Sequence, residues 1–174
     1  DVTKRSRTPG RRLVTALRAD EDRRAVPHHP DVADCDVLDT SAVDALKGNS
    51  GNAGVFSTAE DLAVIAAAIM NGGAIAGVRI LSPATVRAMT SIQNRNGRAL
   101  GWDIASTSSG LKGDLFNPER TICHTGYTGT SMVVDMESRT AVILLAHRVH
   151  PADKGSIANL RARVSNIVAG AIEK

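Results

Sequence analysis

The sequence predicts an α+β domain, an antiparallel sheet flanked by helices, from the order of three kinds of signal. Helical patterns with start and stop residues come first, between positions 57 and 90. Three short apolar runs separated by turns follow, from Thr121 to Arg148, and a helical pattern closes the chain after Pro151.

The first helix follows a small-residue loop, Gly48-Asn49-Ser50-Gly51-Asn52-Ala53-Gly54. Ser57 and Glu60 have the spacing of a capping box, in which each side chain satisfies a backbone N–H that a helix start leaves free. Leu62, Ile65, Ala66, Ile69 and Met70 recur at helical spacing, and Asn71-Gly72-Gly73 ends the run. The loop is read as a helix lead-in rather than a phosphate cradle, because no Gly-Lys-Ser/Thr follows it. A second helix begins at Ser82-Pro83, with Ser82 as N-cap and Pro83 where a missing N–H costs nothing; Val86, Met89 and Thr90 form its inner face.

Leu100 to Ile104 is expected as a strand and Ser106 to Lys112 as an exposed turn. Thr121 to His124, Ser131 to Asp135 and Thr140 to Arg148 are expected to form an antiparallel meander. Ala141 to Ala146 lacks polar alternation, so its strand should be covered on both faces. In the last helix Ile157, Leu160, Val164, Ile167, Val168 and Ile172 form the apolar stripe, with Arg161 and Arg163 off it.

Residues 1–50 are read as a loop-rich, basic lead-in with one short helical pattern around Leu13, Val14 and Leu17, and residues 51–174 as the domain proper. Eight of the 21 basic residues fall within the first 24 positions, so the net charge of +3 is local. No zinc-finger spacing, RNA-binding signature or aromatic interleaving accompanies them, and no nucleic-acid partner is expected. The longest apolar run is too short to span a bilayer. His28, His29, Asp31, Asp34, Cys35, Asp36 and Asp39 offer ligand types without a recognised spacing, so no metal is expected. Cys35 and Cys123 make no CxxC pair; they are read as buried thiols, with a long-range disulfide left open.

The run His124-Thr125-Gly126-Tyr127-Thr128-Gly129-Thr130-Ser131 carries the chemistry. Together with Gly51 to Leu62, Ile80 to Pro83, Leu100-Gly101-Trp102 and Ile143 to Pro151, it resembles the carboxy-terminal half of the β-lactamase-related serine hydrolases. That group includes class C-like β-lactamases, D-alanyl-D-alanine carboxypeptidases and family VIII esterases. The resemblance covers roughly residues 37–170. It implies part of a penicillin-binding-protein-like (transpeptidase-like) fold and acyl transfer by a serine, with no cofactor. Compartment stays open, since members are secreted, periplasmic or cytoplasmic.

Carried over by position, the resemblance gives His124 a role in orienting substrate or tuning protons, and gives Thr125 and Thr128 contacts to substrate. Gly126 would keep a side chain off the strand, and the Tyr127 backbone N–H would be one of two oxyanion-hole donors. The Ser-x-x-Lys nucleophile box and the Tyr-x-Asn loop would belong to a missing amino-terminal half of the same fold. Ser109-Gly110-Leu111-Lys112 fits four letters of that box but lacks helical periodicity and precedes His124 too closely. Val37 to Ala42 resembles a family loop with Leu38 and Ser41 in place of its polar residues. An apolar face and unpaired sheet edge would give a route to self-association. The partner otherwise expected is a small-molecule or peptide substrate, such as a β-lactam, a stem peptide or an ester. The alternative is a non-catalytic penicillin-binding-like module that holds peptide or cell-wall fragments.

Overall fold

A computed structural model describes the backbone of residues 12–16 and residues 55, 57–149, 152–153 and 155–172 in full. The lead-in expectations for residues 1–11 and 17–54, including the His28 to Asp39 cluster, Cys35, the Val37 to Ala42 loop and the glycine loop, lie outside the described residues. The chain divides into two units, Asp1–Leu17 with Ala59–Lys174, and Arg18–Thr58.

The centre of the first unit is a four-stranded sheet built from β1 (Arg12–Ala16), β4 (Thr121–Thr125), β5 (Ser131–Asp135) and β6 (Thr140–Leu144), in the order β1-β6-β5-β4. The expected meander is present: β4 pairs with β5 and β5 with β6, both antiparallel. Two expectations are corrected at its ends. The helical pattern around Leu13 and Val14 is a strand, pairing parallel with β6 from Arg12↔Thr140 to Ala16↔Leu144. A single helical turn is costly to nucleate, whereas the open edge of β6 offers a ready ladder. β6 itself stops at Leu144 rather than running to Arg148, as the chain turns to meet other partners.

Every residue of β5 and β6 is buried, because helices cover both sides. On one face Ile122, Met132, Val134, Ala141 and Ile143 pack against α1 (Ala59–Met70), Val86 of α2 (Pro83–Met89) and Trp102. On the other, Cys123, Val133 and Val142 pack against Leu111, Phe116 and Val164 and Val168 of α3 (Ala158–Gly170). The unbroken apolar run of β6 thus has the two-sided cover that its sequence demands.

The start of α2 and the end of α1 follow their local chemistry. Ser82 caps α2, accepting from the Thr85 N–H at 3.0 Å, with Pro83 as first helical residue. α1 ends in a Schellman arrangement: Gly73 N–H reaches Ala68 C=O at 2.8 Å, Gly72 N–H reaches Ile69 C=O at 3.0 Å, and Gly72 has φ 67°. The start of α1 does not. The helix begins at Ala59, so Thr58 rather than Ser57 precedes it, and the Ser57 hydroxyl donates to the Thr58 carbonyl. Between α1 and α2 lies an unforeseen hairpin, β2 (Ala74–Ile75) with β3 (Val78–Arg79), turned by Ala76 and Gly77 at φ 49° and 83°.

The segment read as a strand at Leu100 to Ile104 forms only bridges, Arg98↔Asp103 and Asp103↔Cys123. The segment read as an exposed turn ends instead in a 3₁₀ helix, Ser109–Lys112, whose Leu111 and Lys112 are buried. In α3 the buried residues are Val164, Ser165 and Val168, while Leu160 and Ile167 face solvent. The inner stripe therefore runs through Arg161 rather than through Leu160.

Cys123 is a free thiol, fully buried, and burial pushes its pKa up to about 12. A thiol with so little thiolate and no access should be inert. In a Cys35→Ser variant at about pH 8, an aromatic disulfide reagent should leave native Cys123 unmodified and label it only in denaturant. Labelling of the native protein at the rate of a free thiol would contradict the packing described.

Candidate functional site

The His-Thr-Gly run ends β4 and makes the turn into β5. Alternation along β4 decides which way each group faces. His124 pairs with Met132, which pairs in turn with Ile143, so it shares the face that packs on α1, and its side chain is exposed. Thr125 stands on the opposite face, paired with Ser131, which pairs in turn with Leu144.

The backbone divides in the same way. Asp103 takes both hydrogen-bonding groups of Cys123, at 2.8 and 2.9 Å, so Cys123 points its N–H and C=O at the outer margin of the sheet. Two residues on, the N–H and C=O of Thr125 face that margin too, beyond the reach of the Asp103 bridge. The Gly126 N–H turns back to Thr130 C=O at 2.8 Å. The Tyr127 N–H lies in the turn beyond the end of β4, and among the described residues it has no acceptor.

Two arginines hold the turn from behind. Arg161 of α3 donates to the carbonyls of Gly126 at 2.8 Å, Thr130 at 2.9 Å and Gly129 at 3.3 Å. Arg148 donates from Nε to the Tyr127 carbonyl at 3.0 Å and from its backbone N–H to Thr128 C=O at 2.7 Å. All five successive carbonyls from Gly126 to Thr130 are thereby engaged. Arg148 also lies 4.6 Å above the Tyr127 ring and pairs with Asp153, which accepts from the Tyr127 hydroxyl. The Tyr127 hydroxyl, then Arg148, hold the Asp153 carboxyl below its ordinary pKa. Burial, then the charge of Arg148, lowers that of Arg161, whose guanidinium remains a cation.

A depression of about 330 Å³ opens where these groups meet, lined by Thr125, Gly126, Tyr127, Arg148, Ser156 and Arg161 among others. His124 and Thr128 do not line it. Of the sequence candidates, Thr125, Gly126 and Tyr127 therefore come together with two arginines, while His124 stands on the other face of the strand. For Gly126 the structure adds a reason of its own: a Cβ there would meet Thr130 Oγ1 at 2.1 Å.

Arg148, Asp153 and Arg161 are absent from the sequence candidates. Arg161 was detectable in principle, since Ile157, Arg161, Val164, Ser165 and Val168 lie at i, i+4, i+7, i+8 and i+11 on one helix face. The polar label of arginine hid it.

The Ser109/Lys112 pair is a different construction from a nucleophile box. Lys112 Nζ donates to the carbonyls of Ile104, Pro118 at 2.6 Å and Thr121 at 3.4 Å, and Ser109 Oγ donates to Ser106 C=O at 2.7 Å. Both groups are occupied by backbone. Among the described residues no cluster of His, Cys, Asp or Glu could hold a metal ion, and no helix is long and apolar enough to cross a membrane.

The family described as Beta-lactamase matches residues 4–166. The chain belongs to the beta-lactamase family. Within the family it is 33% identical over 135 residues to an Escherichia coli O157:H7 protein named "Putative D-alanyl-D-alanine carboxypeptidase", covering 74% of this chain and 31% of that protein. A Salmonella paratyphi B protein of the same name is 30% identical over 170 residues, covering 94% of this chain and 38% of the relative. The chain thus spans about a third of the length of the curated relatives it matches. Membership of the beta-lactamase-related serine hydrolase family and a penicillin-binding-protein-like α+β fold follow from these matches.

Proposed function

We propose that residues 51–174 are the carboxy-terminal portion of a serine hydrolase domain that transfers the acyl group of an amide or ester, with a peptide ending in D-alanine as the favoured substrate class. The relatives' names support that substrate, and a Tyr127 N–H without an acceptor among the described residues supports the chemistry. In this reading a serine of a Ser-x-x-Lys box outside this chain loses its proton to a neighbouring base as Oγ attacks the substrate carbonyl. The carbonyl oxygen becomes an oxyanion between the serine's own N–H and the Tyr127 N–H. The C–N or C–O bond then breaks with proton return to the leaving group, and water hydrolyses the acyl-serine.

Thr125 would hydrogen-bond the polar end of a substrate lying along the sheet margin, Gly126 would keep that approach open, His124 would orient substrate or tune protons, and Thr128 would contact substrate. The margin at Thr125, which no described residue pairs, equally suits a non-catalytic module that binds peptide by strand addition. The two readings separate by covalent labelling. The chain alone should take up neither a fluorescent penicillin nor a fluorophosphonate, and a longer protein carrying the Ser-x-x-Lys box should be labelled on that serine. Label on any residue of this chain, Ser109 included, would overturn the assignment, and an unlabelled longer protein would favour the binding module.

A further inference from the structure

We infer that Arg161 is a positioning residue for the reaction: through the carbonyls of Gly126, Gly129 and Thr130 it fixes the direction of the Tyr127 N–H. The inference rests on the acyl-transfer reading and adds to it a residue 34 positions beyond Tyr127, on the closing helix.

In a planar trans peptide the C=O and N–H point in opposite directions. The Gly126–Tyr127 peptide presents its C=O to Arg161 at 2.8 Å, so its N–H faces away from that guanidinium. Glycine at position 126 leaves that peptide free to rotate, and no ladder bond holds its N–H. The restraint on the C=O comes from Arg161 and from Gly129 N–H at 3.2 Å. The same guanidinium holds Gly129 and Thr130, which closes the turn around one planar fork.

The outcome is a turn with its acceptors engaged and the Tyr127 donor facing away from Arg161 without an acceptor among the described residues, which suits charge developing on a substrate oxygen. A preorganised donor needs no reorientation during reaction. A peptide free to flip would lose that advantage while leaving substrate affinity largely unchanged. Arg161 itself points its donors at backbone and touches no reacting atom, so its effect passes through the Gly126–Tyr127 peptide.

The test uses the longer protein that carries the nucleophile box, comparing wild type, Arg161→Lys and Arg161→Met. The rate of acylation by a p-nitrophenyl ester and the affinity for an aryl boronic acid, which forms a tetrahedral adduct on the serine, are measured with the thermal midpoint. Arg161→Met should lower the acylation rate on the order of 10²-fold, the loss associated with one oxyanion donor. Substrate dissociation constants should stay within about threefold, and boronate affinity should fall in parallel with kcat/KM. Arg161→Lys, able to reach one carbonyl but not three, should fall between, and it carries the comparison if Arg161→Met fails to fold. A wild type that does not acylate would sink the acyl-transfer reading. A wild type that acylates beside a folded variant with unchanged acylation, or with equal losses in substrate and boronate binding, would overturn the role of Arg161 alone.

Discussion

Gly129→Ala should cost the fold about 3–5 kcal/mol. Gly129 has φ 130°, a backbone conformation that side-chain-bearing residues rarely adopt, so strain alone contributes roughly 1–3 kcal/mol. The new Cβ would also lie 2.7 Å from the Ala146 carbonyl oxygen and 3.1 Å from its carbon. Those are backbone atoms just past β6, and they can give way only if the turn and the end of the strand separate. Gly126→Ala provides the contrast. Its Cβ would meet Thr130 Oγ1, the end of a side chain that can change rotamer, and Gly126 has no positive φ. Urea midpoints should drop far more for Gly129→Ala than for Gly126→Ala; equal drops would show that the turn is not pinned against Ala146.

Lys112→Met should destabilise by roughly 2–4 kcal/mol, although methionine fills much the same space. The ammonium is the shared donor for Ile104, Pro118 and Thr121, tying the 3₁₀ helix to the segment before β4 and to β4 itself. Removing it strands three acceptors beside the Leu111 and Phe116 cluster. Part of the loss is offset because a buried charge disappears as well.

Burial lowers the Lys112 pKa from its usual 10.5, opposed by Cys123 and Asp103. The unfolded chain therefore holds the extra proton just below pH 10.5, and this group makes the fold gain stability as pH rises through that interval. Cys123 acts with the opposite sign. Its pKa rises from 9.0 to about 12, so its contribution is present below pH 9 and is lost as pH climbs toward 12. Wild type should show partial cancellation up to 10.5 and a net loss above it. Lys112→Met should lose stability from about pH 9 onward, and Cys123→Ala should gain toward 10.5. Identical alkaline profiles for the three proteins would rule out this linkage.

Local sequence was sufficient wherever the deciding interaction spans a few residues. Ser82-Pro83 starts α2 because its hydroxyl reaches an amide three residues on, and Gly72-Gly73 ends α1 because φ 67° and 92° suit glycine. The apolar run of β6 specified two covered faces, and the His-Thr-Gly order with its neighbours pointed to the family. Tertiary structure decided the rest. Leu13 and Val14 became a strand because β6 offered an edge, and Ser109 to Lys112 turned inward because carbonyls from Ile104 to Thr121 needed a donor. Arg161 finds its acceptors 31 to 35 residues earlier in the chain. A local pattern records only that arginine is charged, whereas a guanidinium becomes part of an inner face once folding brings it unpaired carbonyls.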